Sequence, residues 1–333
     1  MATLTASNLT LLDIAKQSDP KGGIADVVEV LAQQNPIVED AVAVECNYGA
    51  VHRHTIRTGL PAVGWGSLYK GIAQSKGLTQ QVDDTTGFVE ALSSVDTRLL
   101  GLSKNPAKVR LNEAKGFLEA MNQEVSTGFF YYNTATAPEK IKGVAARYNA
   151  LSGGSASSQV ISAGGAGSDN TSIYFITWGE QYTHLIYPEG MTAGLTREDK
   201  GEQRVLDGSN NPYFVKEELF RWHLGVAVRD WRYNARICNI DVSDVQAGSV
   251  DLYKFMRRAY YKLQSRRVPG GKQVIYMNRD MLEALDALAT NKGSSDNFVR
   301  LTPMEIEGRE VMTYRGIPIR ETDALLNSEG VVS

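Results

Sequence analysis

A serine placed three residues before a lysine can act as a nucleophile with its own base, and Ser67-Leu68-Tyr69-Lys70 has that spacing. Ser168-Asp169-Asn170 supplies the S-D-N triplet that accompanies the pair in one class of serine hydrolases. That chemistry needs Ser67 at a helix start with Lys70 one turn later, whereas Gly64, Gly66 and Gly71 around the pair oppose a helix. The K-T-G that completes the set is absent, and Ser295-Asp296-Asn297 shows how cheaply S-D-N arises. His52-x-His54 sets two imidazoles on one face of a strand, the geometry of a metal pair. No third ligand follows at a recognisable spacing, and Arg53 and Arg57 make the segment cationic. His184 and His223 fall in strand-like segments near Trp178 and Trp222 and read as packed structural residues. Cys46 and Cys238 lack an adjacent activating partner and read as buried, inert thiols of a reducing compartment. Gly164-Gly165-Ala166-Gly167 lacks the Lys-Ser/Thr of a phosphate loop and reads as a turn. No catalytic, metal or cofactor constellation holds together. The chain reads as a non-enzyme without a cofactor, and a serine hydrolase using Ser67 and Lys70 is the remote alternative.

Basic residues do gather, at Lys254, Arg257, Arg258, Lys262, Arg266, Arg267 and Lys272, on a helix whose other face carries Leu252, Phe255, Ala259 and Leu263. Such a face can touch phosphate without reading sequence, can form one side of an interface salt-bridge network, or can be solvated. The net charge of −3 is that of no dedicated nucleic-acid binder. No apolar run approaches the ~18 residues of a membrane span, and Met1-Ala2-Thr3-Leu4-Thr5 lacks the charged region and apolar run of a secretory signal. At 333 residues, 42% hydrophobic and 22% charged, the chain can bury a sizeable core.

The elements are those of an α+β protein. Leu9, Leu12 and Ile14, then Ile24, Val27, Val28 and Leu31, predict two short helices on a loose N-terminal arm broken at Asp19-Pro20 and Asn35-Pro36. Residues 51–95 follow, rich in β-formers yet polar on both faces of a period-two strand, with a Gly-punctuated tip from Gly59 to Gly66. Extended, such an arm reaches roughly 60 Å at ~3.3 Å per residue. A compact body built from the rest has a radius of gyration of about 19 Å, so the arm's partners are expected on other molecules. Asn105-Pro106 opens a long helix in which Leu111, Ala114, Leu118, Met121 and Val125 predict one apolar stripe. A Gly/Ser-rich boundary at 152–158, strands at 172–178, 183–187, 203–206 and in pieces over 214–240, helices at 250–267 and 279–291, a strand at 273–277 and a C-terminal hairpin set complete the reading.

Leu11-Leu12-Asp13-Ile14-Ala15-Lys16, His54-x-x-x-Arg57-Thr58-Gly59-Leu60-Pro61, Glu119-Ala120-Met121-Asn122-Gln123-Glu124 and Gly165-x-Gly167-Ser168-Asp169-Asn170-Thr171-Ser172 together resemble the major capsid proteins of epsilon-fifteen-like short-tailed bacteriophages. Trp178-Gly179-Glu180, Arg229-Asp230-Trp231-Arg232-Tyr233 and Tyr314-Arg315-Gly316-Ile317-Pro318-Ile319-Arg320 extend the resemblance over nearly the whole chain. It implies a Hong Kong 97-like capsid fold. Residues 1–46 would be the N-terminal arm, 47–103 the extended β-loop and 104–155 a peripheral domain with its long spine helix. Residues 156–294 would form mainly the axial domain, and 295–333 the peripheral-sheet strands and C-terminus. Because the strands of 173–187 precede those of 314–320, a permuted topology is also expected.

The implied function is self-assembly into pentamers and hexamers of an icosahedral head enclosing double-stranded DNA, with a tail or decoration component as the alternative. The implied place is the virion, after assembly in the bacterial host cytoplasm. The expected partners are further copies of the chain, a portal, scaffolding or decoration proteins, and packaged DNA through non-specific contact, with no membrane. Inter-subunit contact is expected at Arg53, Arg57, Gly59, Pro61, Trp65, Lys70 and Lys76 of the loop. Leu11, Leu12, Ile14, Ile24 and Val27 of the arm are expected to contribute as well. The DNA-facing or interface basic face would be Lys254, Arg257, Arg258, Arg266 and Arg267. The type member of that fold cross-links Lys to Asn between subunits, but Lys70 and Lys76 have no matched Asn or Glu, so non-covalent exchange of arms is the expectation.

Overall fold

A computed structural model of the chain describes residues 32–266, 268–291, 301–306 and 309–333. The arm residues Leu11, Leu12, Ile14, Ile24 and Val27, and Arg267, lie outside the described residues.

The buried framework is a mixed sheet covered on both sides. Its central strand, β5 (Asn170–Trp178), is buried at all nine positions. Alternation explains this. Tyr174, Ile176 and Trp178 point into one core with Phe129, Phe130 and Val144, while Ile173 and Phe175 point into another with Leu252, Met256 and Met281. The neighbouring strand β10 (Lys272–Met277) divides its side chains the same way, Val274 and Tyr276 to the first core and Ile275 and Met277 to the second. The second core is closed by α5 (Val242–Gln246), α6 (Leu252–Lys262) and α7 (Arg279–Asn291). Asn278 caps α7, its Oδ1 accepting from the Met281 amide at 3.0 Å.

The first core rests on the long helix α3 (Pro106–Tyr131) and the short α4 (Val144–Arg147). Asn105 caps α3, accepting from the Lys108 amide at 3.1 Å. At 26 residues the helix is about 39 Å long. The predicted stripe is corrected in part. Ala114, Met121 and Val125 are buried, but Leu111 is 50% and Leu118 40% exposed. Val109 is buried instead against Val95, Leu99 and Leu100, and Phe129 and Phe130 are buried in the first core, Phe129 pointing the same way as Leu111 five turns earlier.

The strands that carry the ribbon are long. β2 (Val51–Gly59) pairs antiparallel with the first half of β3 (Leu78–Asp96), and the second half of β3, from Thr86, pairs with β8 (Pro212–Val228). The coreless stretch is therefore shorter than its sequence suggests, because residues 86–96 lie in the main sheet and lead into α2 (Thr97–Leu102). β8 also pairs with β7 (Leu195–Leu206), making a long hairpin, and then with β6 (Thr183–Tyr187). The first half of β7 is polar and almost wholly exposed, so it lacks the alternation by which a strand is recognised.

The end of the arm is also firmer than expected. α1 (Ile37–Asp40) and β1 (Ala43–Glu45) are built into the body, β1 parallel to β6. Asp40 is buried beneath Lys272 Nζ at 2.7 Å, Arg320 Nη2 at 3.2 Å and Tyr276 Oη at 3.0 Å. Two short strands, β4 (Val160–Ser162) and β9 (Ala235–Asp241), join beside β5. β11 (Leu301–Ile306), β12 (Arg309–Tyr314) and β13 (Ile317–Glu321) form the predicted C-terminal set, docked through β13 parallel to β10.

Candidate assembly interface

Among the described residues, the tip between β2 and β3 holds the most exposed cluster of large apolar side chains. Trp65, Tyr69 and Val63 are wholly or nearly wholly exposed, and Leu60, Leu68 and Ile72 are more than three-quarters exposed. Within the tip, Ser75 Oγ donates to the Ala62 carbonyl at 2.8 Å, and the Lys70 amide donates to the Ser67 carbonyl at 3.2 Å. That second bond closes a turn at Tyr69, whose φ is +62°, so Ser67 and Lys70 do not share a helix face. The geometry required of a serine–lysine nucleophile is missing, and Asn170 begins the buried strand β5 in the body. Pro61, Trp65, Lys70 and Lys76 are all exposed on this tip. Gly59 pairs with Leu78 at its base after a register shift.

The root of the ribbon is different. His52 and His54 share one strand face, as predicted, but they are buried, as is Asp84, the cross-strand partner of His52. The expectation of a ribbon exposed and polar on both faces is thus corrected at this end. His184 of β6 meets His52 edge-on, ring centroids 5.2 Å apart. Nδ1 of His52 and both ring nitrogens of His54 and His184 have no hydrogen-bond partner. Burial pushes His184 down to about 4, helped by His52, and burial is also the main cause that lowers His52 and His54. All three rings are therefore neutral at pH 7, and among the described residues no group of three or more His, Cys, Asp or Glu is placed to hold a metal ion.

Arg147 approaches from α4, its Nη2 2.7 Å from Asp84 Oδ1 and 2.7 Å from the Val226 carbonyl. Arg53 is paired in-plane with Asp83 through two contacts of 2.8 Å, so the ribbon is less cationic than its sequence suggests. Arg57, opposite Thr79, is exposed and forms no ion pair among the described residues. The convergence of His184 on the root leaves no trace in sequence spacing, since it depends on β6 and β3 flanking β8.

Cys46 and Cys238 are buried and free, and burial raises each thiol to about 11. Lys254, Arg257, Arg258 and Arg266 are exposed around α6, whereas Lys262 turns inward and donates to the carbonyls of Ser158 and Val160.

This arrangement offers a packed body with a projecting apolar tip, and the model of the family described as major capsid protein GP7 matches residues 19–333. The chain belongs to the GP7 major capsid protein family. A solved structure of bacteriophage Epsilon15 is 38% identical, with a TM-score of 0.77, over 100% of this chain and 99% of that one. The capsid of bacteriophage JBD30 matches with a TM-score of 0.50 over 97% of this chain and 96% of the other, at 7% identity, a likeness of fold alone. No curated protein sequence matches. This GP7-family protein is accordingly a major capsid protein, a structural subunit of a phage head with the Hong Kong 97-like fold, and its place is the virion. No helix among the described residues is long and apolar enough to cross a membrane.

Proposed function

We propose that copies of this chain close an icosahedral head as pentamers and hexamers by laying the extended loop on neighbouring subunits. The observation that carries this reading is the tip: six large apolar side chains from Leu60 to Ile72 project from the body with no core of their own. Isolated apolar residues on a surface are ordinary, but a cluster on one projecting strap marks a contact site. The part of the N-terminal arm that precedes α1, and the loop, act as the exchanged segments, with Arg53, Arg57, Gly59, Pro61, Trp65, Lys70 and Lys76 in the loop contact. Residues 104–155 serve as the peripheral domain and 156–294 mainly as the axial one. Assembly takes place in the host cytoplasm around a portal, with scaffolding or decoration proteins and double-stranded DNA as further partners. Each loop contact is modest, and a closed shell sums many of them.

The test replaces residues 60–77 by Asn-Gly. Gly59 and Leu78 are cross-strand partners, so a two-residue turn closes the hairpin without moving its register. The shortened chain is expected to stay folded by circular dichroism and to form no stable shells by negative-stain microscopy. Shells of normal yield would overturn the loop's role, and an unfolded product would show that the tip belongs to the subunit's own core.

A further inference from the structure

Between residues 252 and 272 the chain carries seven lysines and arginines and no carboxylate, although its net charge is −3. Arg53, Arg110, Arg147, Arg197 and Arg236 elsewhere each pair with a carboxylate. Among the described residues, Lys254, Arg257, Arg258 and Arg266 pair with none. Lys254, Arg257 and Arg258 stand at i, i+3 and i+4 on α6, so they share one exposed face, and Tyr261 continues it one turn later, 57% exposed.

The cations are braced by rings instead of acids. The Arg266 guanidinium lies 5.1 Å from the Tyr261 ring, and the Arg315 guanidinium lies 5.2 Å from Tyr260 and 5.5 Å from Tyr261. Lys254 Nζ and the Arg258 guanidinium sit 5.8 and 6.0 Å from Phe255. A ring face holds a guanidinium in place while leaving most of its hydrogen-bond donors available; Arg266 and Arg315 each spend one on Tyr261.

Arg315 arrives by an unusual route. It and Gly316 form the two-residue turn between β12 and β13, with φ of +52° and +81°, a geometry that favours Asn-Gly. An arginine there gives up local backbone preference, and what it gains is a place against Tyr260 and Tyr261, where its Nη1 donates to Tyr261 Oη at 3.3 Å while its Nε is buried without a partner.

We propose that this face, Arg257 together with Lys254, Arg258, Arg266 and Arg315 on their aromatic bracing, binds the phosphate backbone of double-stranded DNA without reading sequence. The inference rests on the capsid reading, which supplies the DNA, and it assigns which surface of the subunit meets it. Guanidinium and ammonium groups at this density match phosphates, and the described face presents no Asn or Gln array aimed at base edges.

The experiment uses purified full-length protein, kept below the concentration at which shells form, and a fluorescent mixed-sequence 30-base-pair duplex titrated from 50 to 200 mM KCl. The wild type is expected to bind with a steep salt dependence, and to prefer the duplex over polyglutamate chains of equal charge. K254Q/R257Q/R258Q is expected to bind roughly tenfold or more weakly, with a salt slope smaller in magnitude by about 2 to 3, at ~0.9 per lost phosphate contact. Arg315→Asn suits the turn, so it is expected to keep or raise the melting temperature while binding more weakly; a merely structural Arg315 would leave binding untouched.

Salt-insensitive or absent wild-type binding, a preference for polyglutamate, or unchanged affinity in both variants would overturn the proposal. Shell formation is scored separately by negative-stain microscopy. Variants that bind duplex normally but fail to assemble would reassign the face to a subunit contact. Failure of the wild type to assemble would count against the capsid reading instead.

Discussion

The guanidinium of Arg147 closes on the carboxylate of Asp84 at 2.7 Å, and the same nitrogen reaches the Val226 carbonyl at 2.7 Å, tying α4, β3 and β8 together where the ribbon leaves the sheet. Both side chains are nearly shielded from water, 12% and 3% exposed. Removing one member of such a pair leaves the other charge buried alone, which costs on the order of 3 kcal/mol. Asp84→Ala is expected to lower subunit stability by about that amount in chemical denaturation. A change below ~1 kcal/mol would show that the pair is not what fastens the root.

The same root is expected to weaken in acid. His184 has its ordinary value of 6.5 in the unfolded chain and about 4 in the folded one, because burial and then His52 disfavour its charge. Above about 6.5 the ring is neutral in both states and carries no penalty. Between roughly 6.5 and 4 the unfolded chain binds a proton that the folded chain refuses, so stability drops by up to roughly 3 kcal/mol as pH falls through that window. His52 and His54 are lowered in the same direction. The paired difference between wild type and His184→Leu, followed as melting temperature from pH 7 to 4, isolates the effect. The variant curve is expected to be flatter, and parallel curves would refute it.

Gly225 lies in β8 between β3 and β6, opposite Thr86 and Ile186 respectively. A Cβ there would sit 2.7 Å from the Thr85 carbonyl oxygen and 2.8 Å from Ile186 Cγ1. Backbone does not yield as a flexible side-chain end does, so Gly225→Ala is expected to destabilise the subunit by about 1 to 3 kcal/mol. An unchanged denaturation midpoint would contradict this packing.

The C-terminus is stitched into the sheet through Glu329, which accepts from Arg236 Nη2 at 2.8 Å, Tyr131 Oη at 2.6 Å and Ser172 Oγ. Truncation after Ser328 strands Arg236, only 5% exposed, without its carboxylate. The expected loss is about 3 to 5 kcal/mol, seen as a lower melting temperature. Arg236→Met in the truncated chain should recover part of it by removing the orphaned charge.

Sequence alone determined the elements whose signal is local. Asn105-Pro106 and Asn278 announce helix starts, because a cap is a bond between near neighbours. The period-two β-formers of residues 51–58 and 79–86 announce the ribbon, and their polarity together with the Gly-rich tip announces that it projects. The motifs spread along the chain carry the resemblance to the capsid family, because they are strings of neighbouring residues. Tertiary structure alone decided which face each element turns inward. Leu111 and Leu118 satisfy helical spacing yet stay exposed, while Phe129, which points the same way as Leu111 five turns on, is buried in the first core, so position along α3 and not direction alone decides burial. His52 and Asp84 look solvated and are buried, because β6, α4 and β8 close over the root. The polar first half of β7 became a strand because β8 lay beside it to complete its hydrogen bonds. Burial and pairing are set by neighbours distant in the chain, and spacing along the chain records only the near ones.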